Sequence, residues 1–273
     1  MHGNHWSLII FTLLAQTAAG TIVVGSIGRR LFKNSTRPFT TEPLFRRTLI
    51  LSSALMLTAA LASFFHLGTP LHAIYVLGNL ANSWLSREIL SVILFTGSLC
   101  LMTLLYIIGF NNRKIFTILE GATVILGLVL IFTMSSIYML PTIPVWNHIF
   151  TPLTFFASAF LLGTSIWLWM SGKSSQTQTI PIGRLGILAM IVGACQLTIL
   201  IFSALHLNHL HIELTGGWLL GIRFVSLLMG TVLAAQVKDR DNRLRLWLVV
   251  FFFGITEILG RYLFYAAYAR IGI

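Results

Sequence analysis

Three polar residues near the end of the sequence are spaced for chemistry inside a helix. Glu257, Arg261 and Tyr265 follow one another at i, i+4 and i+8, which places them on one helix face over about 12 Å. They lie in an apolar stretch, and a charge inside a membrane is rarely retained without a partner or a function. Two interpretations follow: a structural ion pair between Glu257 and Arg261, or part of a ligand site.

A second set of candidates lies at the boundaries of two other apolar stretches. His66 is followed by a Leu-Gly-Thr-Pro segment that ends a helix. A neutral imidazole there can accept a proton near neutral pH. Arg87 and Glu88 lie where the next apolar stretch begins, and a helix N-terminus favours a carboxylate. These residues fall on the same predicted membrane side as Tyr265, so a proton-accepting pocket forms there if their helices meet.

His206 raises haem binding as a competing chemistry. A bis-His haem needs two imidazoles at matched depth on facing helices, and His66 and His206 have matched depth. Both lie at helix ends, where the macrocycle would not be shielded, so we predict neither haem nor metal in this protein. Cys100 and Cys195 lie inside apolar runs and do not form a disulfide framework or a zinc cluster.

The elements that must position these residues are membrane-spanning helices. Eight stretches reach the roughly 20 apolar residues that cross about 30 Å of hydrocarbon. No joint between them is long enough for a soluble domain, so residues 1–273 are predicted to form a single membrane domain. The fold class is all-α, a polytopic bundle of eight transmembrane helices. The approximate spans are 7–28, 47–66, 88–110, 115–140, 150–171, 182–206, 217–237 and 245–270.

Composition and charge agree with a membrane protein. Only 9% of residues are charged and 56% are hydrophobic, whereas about a quarter of residues are charged in soluble domains. The net charge of +11 would suggest nucleic acid binding in a soluble protein, but in a membrane protein it sets orientation. Fourteen of the 18 Lys and Arg residues fall in the joints after spans 1, 3, 5 and 7. This asymmetry predicts that both termini are periplasmic.

A short match recurs four spans apart. The sequence SFFHL at 63–67 closes span 2, and SALHL at 203–207 closes span 6. One five-residue match in Leu-rich sequence arises readily by chance, but it hints at a four-plus-four parallel repeat. Together with the Glu257 and Arg261 pair, this keeps a secondary transporter as the principal alternative, with a haem b cytochrome third. A transporter predicts Gly or Pro interruptions halfway along paired spans, and no Pro lies mid-span.

Several short stretches, taken in order, resemble the membrane-anchor subunit of bacterial dimethyl sulfoxide reductase, the DmsC-type family of molybdoenzyme anchors. They span most of the sequence, and each lies on the predicted outer side or in span 8. The matching stretches are His66-Leu67-Gly68-Thr69-Pro70, Leu85-Ser86-Arg87-Glu88-Ile89, Ile143-Pro144-Val145-Trp146, Thr151-Pro152, Phe155-Phe156, Glu257-Ile258-Leu259-Gly260-Arg261 and Phe264-Tyr265.

This resemblance implies a role in anaerobic respiration at the bacterial inner membrane. The family has eight transmembrane helices with both ends periplasmic, and its partners are a molybdopterin catalytic subunit and a four-cluster iron–sulfur subunit. The anchor binds menaquinol, holds no haem and passes electrons to the iron–sulfur subunit, so the protein would be a non-catalytic, electron-input subunit that draws on the membrane quinone pool. The resemblance also implies that the catalytic subunit, and not the anchor, selects the terminal electron acceptor.

The resemblance also bears on the quinol-binding residues. Those that match His66 and Glu88 are the ones that the family implicates in quinol binding. We extend the predicted site to Arg87, Glu257, Arg261 and Tyr265 on their placement alone.

Overall fold

The structure is a computed structural model that describes residues 6–31, 43–64, 77–110, 112–172, 182–209, 217–238 and 242–267. These residues contain eight long helices and one 3₁₀ turn at Leu77–Asn79. All eight are long and apolar enough to cross a membrane, which confirms the predicted fold class and number of spans. The helices are α1 (Trp6–Leu31), α2 (Pro43–Phe64), α3 (Trp84–Ile107), α4 (Arg113–Ser136), α5 (Phe150–Gly172), α6 (Ile182–His209), α7 (Gly217–Ala235) and α8 (Arg243–Ala266).

Capping side chains set several helix starts. Ser83 Oγ accepts a hydrogen bond from the Ser86 backbone N–H at 3.3 Å, so α3 begins at Trp84 and not at residue 88 as predicted. Asn112 caps α4 in the same way, accepting from the backbone N–H of Ile115 at 3.2 Å. The early start of α3 places Arg87 and Glu88 within its first two turns, and not at its boundary.

Two helices form the centre of the bundle. The spans of α1 and α5 are 78% and 61% buried, whereas the other six are 28–44% buried. Helix α1 packs against α2, α4, α5 and α8, and α5 packs against α1, α4, α6 and α8. The six outer helices therefore leave broad apolar faces for lipid.

The central helices cross at glycine. A Cβ on Gly20 of α1 would overlap the carbonyl group of Ala159 in α5, and a Cβ on Gly163 would overlap the backbone of Gly20. Small residues allow such close approach between membrane helices, where dispersion contacts and not water exclusion drive association. The crossing of α1 and α5 is therefore a point at which larger side chains do not fit.

The bundle divides into two halves with the same helix pairing. In the first half, α1 packs on α2, α2 on α3, α3 on α4, and α4 on α1. The second half repeats these contacts with α5, α6, α7 and α8 in the same order. Each half has its own main hydrophobic cluster, and the two clusters meet where α1 packs on α5. This pairing agrees with the four-plus-four arrangement that the short sequence match hinted at.

The two ends of the bundle differ in charge. At the terminal end, where α1 begins and α8 ends, the Trp6 ring stacks on Tyr262 with centroids 6.3 Å apart. At the opposite, basic end, Arg29 forms an ion pair with the buried Glu120, and Arg30 lies 4.0 Å from the same carboxyl group. Every residue of the predicted site that the structure describes lies in the terminal half of the bundle.

Candidate functional site

Glu257 of α8 is the buried acidic centre of a polar network between helices. Its carboxyl group accepts hydrogen bonds from Ser158 Oγ of α5 and from Gln196 Nε2 of α6, the latter at 3.0 Å. The side chain is 1% exposed. Buried carboxyl groups need such donors because the interior does not supply water. Three helices of the second half are thus joined through one carboxyl group.

Arg261 lies one turn further along α8 and does not pair directly with Glu257. Its Nη2 atom donates to Gln16 Oε1 of α1 at 2.8 Å and lies 3.5 Å from Ser158 Oγ. The guanidinium carbon lies 3.6 Å from the ring centroid of Phe155, a close cation–π contact. Glu257 and Arg261 therefore do not form the direct ion pair that the i, i+4 spacing suggested. Ser158 lies between the carboxyl group and the guanidinium group and contacts both.

Tyr265 completes the face of α8 and contacts a residue that follows α4. The hydroxyl groups of Tyr265 and Tyr138 are hydrogen-bonded at 2.9 Å. Tyr138 lies in the loop after α4, because α4 ends at Ser136 and not at residue 140 as predicted. Burial, Tyr265 and the carboxyl group of Glu88 raise the pKa of the Tyr138 phenol well above its ordinary value, and Arg261 opposes them. Tyr138 consequently stays protonated and can act as a hydrogen-bond donor.

Aromatic side chains surround this pair of tyrosines. Trp146 and Phe264 stack with centroids 5.2 Å apart, and the Trp146 indole donates to the Phe264 carbonyl oxygen at 3.0 Å. The Tyr138 ring meets Phe264 edge to face at 5.1 Å. These contacts hold the loop between α4 and α5 against the end of α8. The aromatic enclosure is apolar, with hydroxyl groups at one side.

Glu88 and Arg87 are adjacent in sequence but have different surroundings. Glu88 is half-buried in the second turn of α3, close enough to Tyr138 for its charge to act on that phenol. The Arg87 guanidinium instead donates to the carbonyl oxygens of Leu80 at 2.9 Å and Ala81 at 2.6 Å. Arg87 therefore ties the start of α3 to the preceding turn and orients the helix that carries Glu88.

The structure thus brings four of the six predicted site residues into one polar cluster, which we call the terminal cluster. Arg87 lies beside it, and His66 lies outside the described residues. The cluster also contains four residues that the sequence analysis missed, and polar side chains inside apolar runs were the available signal for three of them. The terminal cluster comprises Glu88, Glu257, Arg261, Tyr265, Gln16, Tyr138, Ser158 and Gln196.

The described residues contain no group of three or more His, Cys, Asp or Glu side chains that could hold a metal ion. The chemistry that the terminal cluster supports is hydrogen bonding to, and proton exchange with, a neutral polar ligand. It offers a guanidinium and two phenols as donors and a half-buried carboxyl group that can exchange a proton.

Two known proteins resemble this one over nearly its whole length, and a third resembles it over more than half. The YnfH chain of the anaerobic dimethyl sulfoxide reductase of Escherichia coli (strain K12) is 27% identical over 284 aligned positions, which cover 99% of this protein and 97% of YnfH. The C chain of the anaerobic dimethyl sulfoxide reductase of the same organism is 26% identical over 283 positions, with the same coverage. The corresponding C chain from Haemophilus influenzae is 26% identical over 159 positions, covering 58% of this protein and 56% of that relative.

The family model described as DMSO reductase anchor subunit (DmsC) matches residues 1–267. That match includes all eight helices and every residue of the terminal cluster. The protein belongs to the DMSO reductase anchor subunit (DmsC) family.

Proposed function

We propose that this protein is the membrane anchor and quinol-oxidising subunit of a DMSO reductase-like molybdoenzyme complex in the bacterial inner membrane. It binds menaquinol near the periplasmic side, at the terminal end, and passes electrons to a four-cluster iron–sulfur subunit that serves a molybdopterin catalytic subunit. The supporting observation is the terminal cluster, which places a half-buried carboxyl group near two hydrogen-bonded phenols in a member of the anchor family.

The proposed orientation follows from charge. The basic end, with Arg29, Arg30 and Lys114, faces the cytoplasm because cytoplasmic loops collect Lys and Arg. Both termini and the terminal cluster then face the periplasm. Protons released from the quinol leave on that side.

The reaction requires the loss of two protons and two electrons from menaquinol. In the proposed mechanism His66 accepts the first proton, and Glu88 relays protons toward the periplasm. Arg261, fixed by Gln16 and Phe155, and Tyr265 donate hydrogen bonds that orient the ring oxygens. The electrons pass to a cluster in the iron–sulfur subunit, so the anchor needs no haem or metal of its own.

Arg87 acts as a positioning residue in this mechanism. Its bonds to the carbonyl oxygens of Leu80 and Ala81 fix the first turn of α3 and hence the direction of Glu88. Substitution of Arg87 should therefore weaken quinol turnover less than substitution of Glu88.

The described helices run without interruption, so they lack the mid-span breaks that a transporter would use at its substrate site.

The decisive experiment compares the half-buried carboxyl group of Glu88 with the buried carboxyl group of Glu120 in the purified complex. Glu88→Gln should lower menaquinol-dependent turnover about 100-fold or more, the size typical of a lost acid–base group. Reduction of the acceptor by an artificial dye that feeds the catalytic subunit should not change. The matched control is Glu120→Gln at the basic end, which should leave quinol turnover per assembled complex intact. Wild-type quinol turnover in Glu88→Gln would contradict the mechanism.

A second experiment addresses His66. His66→Arg should block quinol oxidation while the complex still assembles, because the substituted guanidinium does not accept a proton. The same preparation tests the partners: affinity purification from anaerobically grown membranes should recover a molybdopterin subunit and a ferredoxin-like subunit. Recovery of the anchor alone, with the partners expressed, would contradict the anchor assignment.

A further inference from the structure

A separate cavity opens in the second half of the bundle at the terminal end. It lies between the α4–α5 loop and helices α5 to α8, and its empty space of about 730 Å³ includes open solvent at the mouth. It does not include Glu88, Tyr138, Glu257 or Tyr265, so it is distinct from the core of the terminal cluster.

A buried cation forms the inner wall of the cavity. Arg223 of α7 is 8% exposed, and its Nε atom has no hydrogen-bond partner among the described residues. The guanidinium lies against Gly260, where an added Cβ would come within 2.7 Å of Nη2. Glycine at this position therefore leaves the space that the guanidinium occupies beside the cavity.

The positive charge of Arg223 is only partly balanced by nearby negative charge. Glu257 and Arg261 both act electrostatically on it, so two guanidinium groups face one carboxyl group that already accepts from Ser158 and Gln196. A buried cation with a free donor is costly unless a ligand or water completes its bonding. The surplus of positive charge favours a ligand that presents acceptor oxygens.

Two imidazole rings line the cavity with Arg223. The rings of His148 and His206 stack with centroids 4.0 Å apart. His148 Nδ1 accepts a hydrogen bond from the Phe150 backbone N–H at 3.3 Å, so its neutral form carries the proton on Nε2 and is a second donor. No carboxyl group is found among the described residues that line the cavity, whose remaining wall includes the rings of Trp146, Phe150 and Phe264.

The placement of these groups repeats that of the first half. His206 lies in the match SALHL near the end of α6, as His66 lies in SFFHL at the end of the second predicted span. Arg223 lies in the second turn of α7, as Glu88 lies in the second turn of α3. With the shared helix pairing of the two halves, the cavity lies at the place in the second half that corresponds to the end of α2 and the start of α3 in the first.

We infer that this cavity is a second binding site for a quinone head group, with Arg223 and the His148 and His206 pair donating to ring oxygens. The aromatic walls suit a planar ring, and the guanidinium and imidazole donors suit carbonyl oxygens. The inference rests on the proposed function for its choice of the quinone pool as the ligand source. A lipid phosphate offers the same acceptor oxygens without the planar ring, and the experiment separates the two.

The test is photolabelling of the detergent-solubilised complex, depleted of quinone, with a photoreactive azido-naphthoquinone. Mass spectrometry should locate label on peptides that contain His148 and His206, and excess menaquinone should displace it. Arg223→Gln should reduce that labelling at least tenfold, while Arg184→Gln, an exposed arginine in α6 near the basic end, should not. Unchanged labelling in Arg223→Gln, or no label on these peptides in the wild type, would overturn the inference.

Two further variants distinguish loss of the cavity site from misfolding and from loss of the first quinol site. Ala204→Leu narrows the cavity without touching a charged group and should also reduce the labelling. Glu88→Gln should lower quinol turnover about 100-fold or more and leave the cavity labelled, so failure of the proposed function and failure of the second site give different results. Displacement of the label by phosphatidylglycerol vesicles but not by menaquinone would assign the cavity to a lipid phosphate and refute the quinone site.

Discussion

The two four-helix halves share one pattern of helix packing but differ in how they handle charge. The first half pairs its buried carboxyl group, Glu120, directly with Arg29 at the basic end. The second half surrounds Glu257 with the neutral donors Ser158 and Gln196 and leaves Arg223 without a direct ion pair among the described residues. A closed ion pair stabilises structure, whereas an incompletely matched network can still bind a ligand.

The contrast continues at the terminal end. The second turn of α3 carries the acidic residue Glu88, and the second turn of α7 carries the basic residue Arg223. Equivalent places in a repeated framework thus hold an acidic and a basic side chain. The framework alone does not determine what each half binds, because function depends on the groups placed on it.

The largest effect should come from separating the halves at the crossing of α1 and α5. Gly163→Val should reduce the amount of folded protein in membranes at least tenfold, because its side chain would overlap the backbone of Gly20 and neither helix can shift without losing its packing. Quantitative blotting of membranes measures it. Gly97→Val, in α3 where an added Cβ meets nothing within 4 Å, should accumulate normally; equal levels for both variants would show that the crossing does not hold the halves together.

Removing the closed ion pair of the first half should have the next largest effect on stability. Glu120→Gln leaves Arg29 without its carboxyl partner and should cost about 2–3 kcal/mol, less than a fully buried pair because Arg29 keeps partial exposure. Thermal unfolding of the purified complex in detergent measures the loss. The double variant with Arg29→Gln should lose less than the sum of the single variants, and additive losses would argue against coupling of the two residues.

A substitution that keeps the positive charge at residue 261 tests the polar network of the second half. Arg261→Lys retains the cation but loses the planar group that donates to Gln16 and lies over Phe155. We expect quinol turnover to fall about ten- to thirtyfold, matching the ~2 kcal/mol of a hydrogen bond from a charged donor. Steady-state kinetics with a menaquinol analogue give the value, with Arg184→Lys as control. Full activity would show that charge alone suffices at residue 261.

The smallest effect should come from the hydrogen bond that links the halves at the terminal end. Tyr138→Phe removes one hydroxyl and the 2.9 Å bond to Tyr265, with an expected cost of about 1 kcal/mol. Quinol turnover should fall less than tenfold, since Tyr265 has a further hydrogen-bond partner in Thr12. A loss as large as that of Glu88→Gln would instead place Tyr138 in direct contact with the ligand.

The helices could be predicted from the sequence because hydropathy and capping are local properties. Eight apolar stretches became eight helices, and differences at their ends reflect caps such as Ser83. The candidate site was predicted less completely. Glu257, Arg261 and Tyr265 were selected because their spacing places them on one helix face, but the same rule wrongly suggested a direct pair between Glu257 and Arg261.

The number of helices, the charge asymmetry between the ends and the family motifs follow from the sequence, since each depends on nearby residues. Which side chains meet depends on the packing of the helices. Ser158 is 99 positions from Glu257, and Gln16 is 245 positions from Arg261. Such contacts depend on how closely helices cross and how they are rotated, and here the glycines at the α1–α5 crossing permit the approach that brings α1, α5 and α8 together.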